Sequence, residues 1–75
     1  MLYQDYESRA RQVGALVDAG KYDDALKVLQ SLLDSDISDI DKSIMSLNMA
    51  VVYGKMNQPG RALEWYDRGI SYEAV

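Results

Sequence analysis

The chain has 75 residues, a net charge of −4, and neither cysteine nor histidine. That length allows one domain, residues 1–75. So small a domain must draw its stability from good helix packing or from association with another chain. Without Cys or His there is no disulfide framework, no thiolate or imidazole for structural zinc, and no common nucleophile–base pair, so no metal, cofactor or enzymatic activity is expected.

The eight basic residues are scattered from Arg9 to Arg68. An acidic chain without a basic cluster does not suit nucleic acid, whose binding rests on clustered Lys and Arg. The opening stretch MLYQDYESRA has no long apolar run, and no segment approaches the length of a membrane span. A soluble cytoplasmic protein with no membrane partner is expected.

Helical periodicity runs through the chain and predicts four helices. The first spans about Tyr3 to Ala19, with Tyr6, Ala10, Val13, Leu16 and Val17 on its inner side. Gly20 suits the left-handed conformation that closes a helix. The second starts at Tyr22 with Asp23 and Asp24 in its first turn, where carboxylates complement the helix dipole. Its apolar stripe is Ala25, Leu26, Leu29, Leu32 and Leu33. The acidic stretch DSDISDID follows. Counted from Asp34, the sixth and twelfth places of a calcium loop hold Asp39 and Met45 instead of Gly and Glu, so the stretch reads as a linker with capping residues.

The third helix begins at Ser38 or Asp39, with Asp41 in the capping-box position of Ser38, and runs to Lys55 or Met56. Ile40, Ile44, Leu47, Val51 and Val52 mark one side; Met45, Met49 and Tyr53 mark a neighbouring one. Asn57 supplies the stop. Pro59 opens the fourth helix, where its missing N–H costs nothing. Ala62, Leu63, Tyr66 and Ile70 share one side of that helix, which ends near Tyr72. Short connections predict antiparallel hairpins.

GKYDDAL at residues 20–26 and NQPGRAL at residues 57–63 share one pattern, a chain-bending residue, a helix-starting cluster and then Ala-Leu, 37 residues apart. Small Ala25 and Ala62 allow helices to approach closely, and the larger Leu29 and Tyr66 fill the next layer. This pattern resembles the tetratricopeptide repeat, which recurs about every 34 residues as a helix–turn–helix. Met49, Ala50, Tyr53, Ala62 and Tyr66 stand at signature places of the second unit. The first unit departs from the family at Arg9, Gln12 and Val13. Ile37 and Ala74 stand where the family has its closing proline.

The resemblance implies an all-α fold of tandem antiparallel hairpins, an α-solenoid with repeats at about 4–37 and 39–74. A simple four-helix bundle is the alternative architecture. The resemblance also implies a scaffold for protein–protein interaction, binding a peptide or helix or self-assembling. A small dedicated chaperone or regulator, such as a secretion-system chaperone, is the alternative function.

In the family the first helix of each unit lines a concave groove. Carried over residue by residue, that groove receives Glu7, Ala10, Arg11, Gly14, Val17 and Asp18, then Ile44, Leu47, Asn48, Val51, Gly54 and Lys55. The carboxylate clamp of chaperone-binding members lacks its companions, because Ala10 and Gly14 stand at their places. An apolar segment is therefore expected as ligand. Gly14 and Gly54 serve either ligand access or internal helix packing. Leu63, Trp65 and Ile70 are expected on an open side of the last hairpin, where they would drive homodimerisation; for Trp65, packing within the domain is an equal alternative.

Overall fold

The structure is a computed structural model and describes residues 2–73. Ala74, at the second closing-proline place, lies outside the described residues. Four helices account for the fold: α1 (Tyr3–Asp18), α2 (Tyr22–Leu33), α3 (Asp39–Lys55) and α4 (Pro59–Glu73).

The repeated phrase produces a repeated turn. After α1, Gly20 adopts φ 73°; its N–H donates to the Val17 carbonyl at 2.9 Å, and Lys21 N–H donates to the Leu16 carbonyl at 2.8 Å. After α3, Asn57 adopts φ 59°; its N–H donates to the Gly54 carbonyl at 3.0 Å, and Gln58 N–H donates to the Tyr53 carbonyl at 2.9 Å. Each turn thus satisfies two carbonyls that the helix end leaves without partners. Every residue of the second turn stands 37 positions after its counterpart.

The acidic linker ends in a cap. Ser38 Oγ accepts the Asp41 N–H at 3.1 Å and donates to Asp41 Oδ2 at 3.0 Å. At the other end of the linker, Asp34 terminates α2 and accepts a hydrogen bond from Gln30 Nε2 at 3.1 Å. Among the described residues, no group of carboxylates is arranged to hold a metal ion.

Consecutive helices pack against one another, α1 on α2, α2 on α3 and α3 on α4, while α1 and α4 share no extensive interface within the described residues. A closed four-helix bundle brings its first and last helices together and has two similar short dimensions. This molecule measures 32 × 28 × 14 Å, a slab with one short dimension. The two hairpins therefore stand side by side as an open array.

The core joins the hairpins through Val13, Ala25, Leu29, Leu32, Met45, Met49 and Val52. On α3 it takes the Met45–Met49 side together with Val52, whereas Ile40, Ile44 and Val51 are exposed. The reason is positional. α3 is clasped between α2 and α4, so the sides it turns to those helices are buried and the remaining apolar stripe is left open. Ser43 and Ser46 are fully buried on α3. Ser43 Oγ donates to the Gly69 carbonyl at 2.8 Å, tying α3 to α4. A Cβ at Gly69 would lie 2.8 Å from Leu47 Cδ2 and 3.3 Å from the Ser43 carbonyl oxygen, so glycine permits this close approach.

Candidate binding clefts

Two depressions lie on the slab. The first, of about 230 Å³, separates α1 from α3 and is lined by Ala10, Val13, Gly14, Val17, Asp18, Asn48, Val51 and Val52. Helix geometry explains the α1 set. Ala10, Val13, Gly14 and Val17 follow i, i+3, i+4, i+7 spacing and share one side of the helix. Val13 is buried against the core, and Gly14 is exposed, with no atom within 4 Å of where a Cβ would stand. Leaving Gly14 bare keeps the cleft floor open. No neighbouring helix packs where a Gly14 side chain would stand.

Six residues of the expected groove thus come together in this cleft: Ala10, Gly14, Val17, Asp18, Asn48 and Val51. Two of the eight lining residues are polar. Asn48 carries both a donor and an acceptor on its side chain, and Asp18 accepts only. At the N-terminal end of the α1 stripe, burial and then the Asp41 carboxylate raise the Tyr6 phenol above its ordinary pKa. Tyr6 therefore faces the first turn of α3.

Other expected groove residues lie elsewhere. Glu7, Arg11 and Ile44 are exposed and do not line the cleft. Leu47 is turned toward α4, with its side chain over Gly69; the small glycine draws it into the hairpin and away from the α1 side. Lys55 and Gly54 belong to the second depression, where Gly54 also has no atom within 4 Å of a Cβ position.

That second depression, of about 520 Å³, is shallow and lies between α3 and α4. It is lined by Ala50, Val51, Gly54, Lys55, Pro59, Ala62, Leu63 and Tyr66. Leu63 and Ile70 are exposed beside it, as expected for the open side of the last hairpin. Trp65 is not on that side. It stands two residues, or about 200°, around the helix from Leu63. It is half-buried against the core, with the Arg68 guanidinium 4.4 Å from its ring centre. Its place on α4 thus follows from helix geometry and fits the packing alternative.

No helix among the described residues is long and apolar enough to cross a membrane. Comparison with models of known protein families, with curated proteins and with solved structures finds no match for this chain.

Proposed function

We propose that the chain is a protein–protein interaction module, a scaffold of the tetratricopeptide kind that takes an apolar segment of a partner into the cleft between α1 and α3. The observation that carries this reading is the composition of that cleft. Ala10, Gly14, Val17 and Val51 contribute to a mostly apolar lining, and Asn48 and Asp18 are its polar members. A mostly apolar concave lining with a few polar groups is the composition of a binding site.

Size and charge narrow the ligand. A volume of about 230 Å³ falls below the roughly 300–1,000 Å³ of small-molecule sites and suits one or two inserted side chains. Asp18 repels an acidic tail, and the basic Arg11 and Lys55 lie outside the cleft lining. An apolar side chain on a neutral or basic segment fits best, since the Asn48 amide can bond a backbone and the Asp18 carboxylate can accept from a donor.

The test uses displayed random peptides selected on the purified chain, followed by affinity measurement against variants. Gly14→Glu places a carboxylate in the cleft at a position where a new Cβ meets no atom within 4 Å, and Asn48→Ala removes the amide. Selected peptides are expected to be apolar and to lose about tenfold or more in affinity to each variant, while the helical circular dichroism is unchanged. Peptides that bind Gly14→Glu at full strength place the working surface elsewhere and refute the reading.

A further inference from the structure

The cleft between α1 and α3 has a carboxylate at each of its ends. The two helices run in the same direction, since Tyr6 meets the first turn of α3 at one end, while Val17, Asp18, Val51 and Val52 stand together toward the other. Tyr6 is four residues before Ala10, and Asp41 is seven before Asn48. Both therefore continue the helix sides that line the cleft. Asp41 marks one end, and Asp18, the last residue of α1, marks the other.

The chain leaves these carboxylates without a cation. Among the described residues no lysine or arginine pairs with Asp18, Asp41 or Glu7. The last turn of α1 holds no basic residue to offset the negative end of its dipole. Asp41 accepts one hydrogen bond, from Ser38 Oγ, and the two oxygens of a carboxylate have room for more.

The Asp41 end has a second feature suited to a cation. Tyr3 and Tyr6 lie one turn apart on α1, with ring centres 6.3 Å apart and planes tilted by 56°. Hydrogen bonding and charge from Glu7 raise the Tyr3 phenol above its ordinary pKa, as burial and then Asp41 do for Tyr6, so a carboxylate stands beside each ring. Elsewhere the chain sets its own arginines over aromatic rings, Arg61 over Tyr53 and Arg68 over Trp65. Among the described residues no cation of the chain sits over Tyr3 or Tyr6. Aromatic faces with carboxylates beside them attract an ammonium or guanidinium group.

Resting on the peptide reading of the cleft, we infer that its ligand is an extended segment with a basic side chain at each end and apolar side chains between, one cation meeting Tyr3, Tyr6 and Asp41 and the other meeting Asp18. The helix sets the spacing. Tyr6 and Asp18 are twelve residues apart, or about 18 Å at roughly 1.5 Å per residue. An extended chain rises about 3.3 Å per residue, so basic residues at its first and seventh positions span about 20 Å and point to one side. The third and fifth positions point the same way. They supply the one or two inserted side chains that a cleft of about 230 Å³ has room for. A helical segment of equal span would bring residues i, i+3, i+4 and i+7 to the cleft, more than that volume takes.

Capped seven-residue peptides test this. They carry Leu, Val, Met or Phe at the third and fifth positions, Ser at the second, fourth and sixth, and Lys, Gln or Glu at the two ends. Binding to the purified chain is read by fluorescence anisotropy. Lys is expected to be preferred at both ends, each gaining about two- to fivefold over Gln, the size of an exposed ion pair, and the gain is expected to fade as salt rises. Asp18→Lys is expected to reverse the preference to Glu at one end alone. Asp41→Asn, which keeps an acceptor for Ser38, is expected to flatten it at the other, with helical circular dichroism unchanged in both. Gly14→Leu fills the cleft without changing its charge, and so reports whether the peptides sit there. Peptides that lose binding to Gly14→Leu, but prefer Lys at fewer than two ends or keep that preference in both charge variants, overturn this inference and leave the cleft reading standing. Peptides that bind Gly14→Leu at full strength overturn both. No binding by any member of the set overturns this inference, while randomly displayed peptides still decide the cleft reading. Stronger binding by a second set, with basic residues twelve positions apart and apolar residues at helical spacing, overturns it as well.

Discussion

Replacing glycine by alanine at three places inside helices is expected to give results of opposite sign. At Gly14 a new Cβ meets nothing within 4 Å. Only the helix propensity changes, and alanine is better than glycine by about 1 kcal/mol in a helix interior. Gly54 is equally open but stands in the last turn of α3, so its gain is smaller. At Gly69 the same propensity gain is opposed by crowding. The Cβ would stand 2.8 Å from Leu47 Cδ2, 3.1 Å from Leu47 Cγ and 3.3 Å from the Ser43 carbonyl oxygen. Leu47 can yield by changing rotamer, but the Ser43 carbonyl belongs to the α3 backbone. The Ser43 Oγ bond to the Gly69 carbonyl also sets the spacing of the two helices. Overpacking of this kind costs about 1–3 kcal/mol, so the net effect runs from near zero to a loss of about 2 kcal/mol once the propensity gain of about 1 kcal/mol is set against it. Thermal melting followed by circular dichroism, at a concentration low enough to keep the chain monomeric, reads the difference. For a domain of this size, 1 kcal/mol moves the midpoint by about 4–8 °C. Gly14→Ala is expected to raise it by that amount, and Gly69→Ala to leave it unchanged or lower it. Equal rises in both variants would show that α3 and α4 do not approach as closely as described.

Two further expectations rest on the same helices. Ser46 Oγ is buried with no hydrogen-bond partner, whereas Ser43 Oγ is satisfied; in urea unfolding Ser46→Ala should stabilise by about 1 kcal/mol or more and Ser43→Ala destabilise by about 1 kcal/mol. If both serines respond alike, the assignment of one bonded and one orphaned hydroxyl is wrong. Ala25 is enclosed at 0 % exposure, while Ala62 lines the open depression beside Leu63 and Tyr66. Ala25→Leu should therefore cost about 1–3 kcal/mol, and Ala62→Leu clearly less because its side chain can extend into that space. Equal losses in thermal melts of the two variants would contradict the openness of that face.

Much of the candidate cleft was legible before any coordinates. Ala10, Gly14, Val17, Asp18, Asn48 and Val51 stand together through the resemblance to the repeat family, whose groove positions they occupy, and all six line one cleft. Leu47 was not legible in the same way. It shares its side of α3 with Ile44 and Val51, and nothing near it in sequence shows that Gly69, 22 residues on, would leave a hole for it. Ser43 and Ser46 gave no apolar signal, although both are fully buried. Small polar residues enter a core when a neighbouring backbone comes close, and that approach is a property of the pair of helices.

The sequence by itself determined the local structure: where each helix starts and stops, the capping box at Ser38, the left-handed stops at Gly20 and Asn57, and the hairpin repeated at 37 residues. These features depend on neighbours a few residues apart, so short-range pattern suffices. Only the tertiary structure decided between an open array and a closed bundle, and which stripe of α3 became core. Both the Ile40–Ile44–Val51 stripe and the Met45–Met49 stripe are apolar enough to be buried. The choice between them followed from α3 lying between α2 and α4, with no helix among the described residues covering its remaining side.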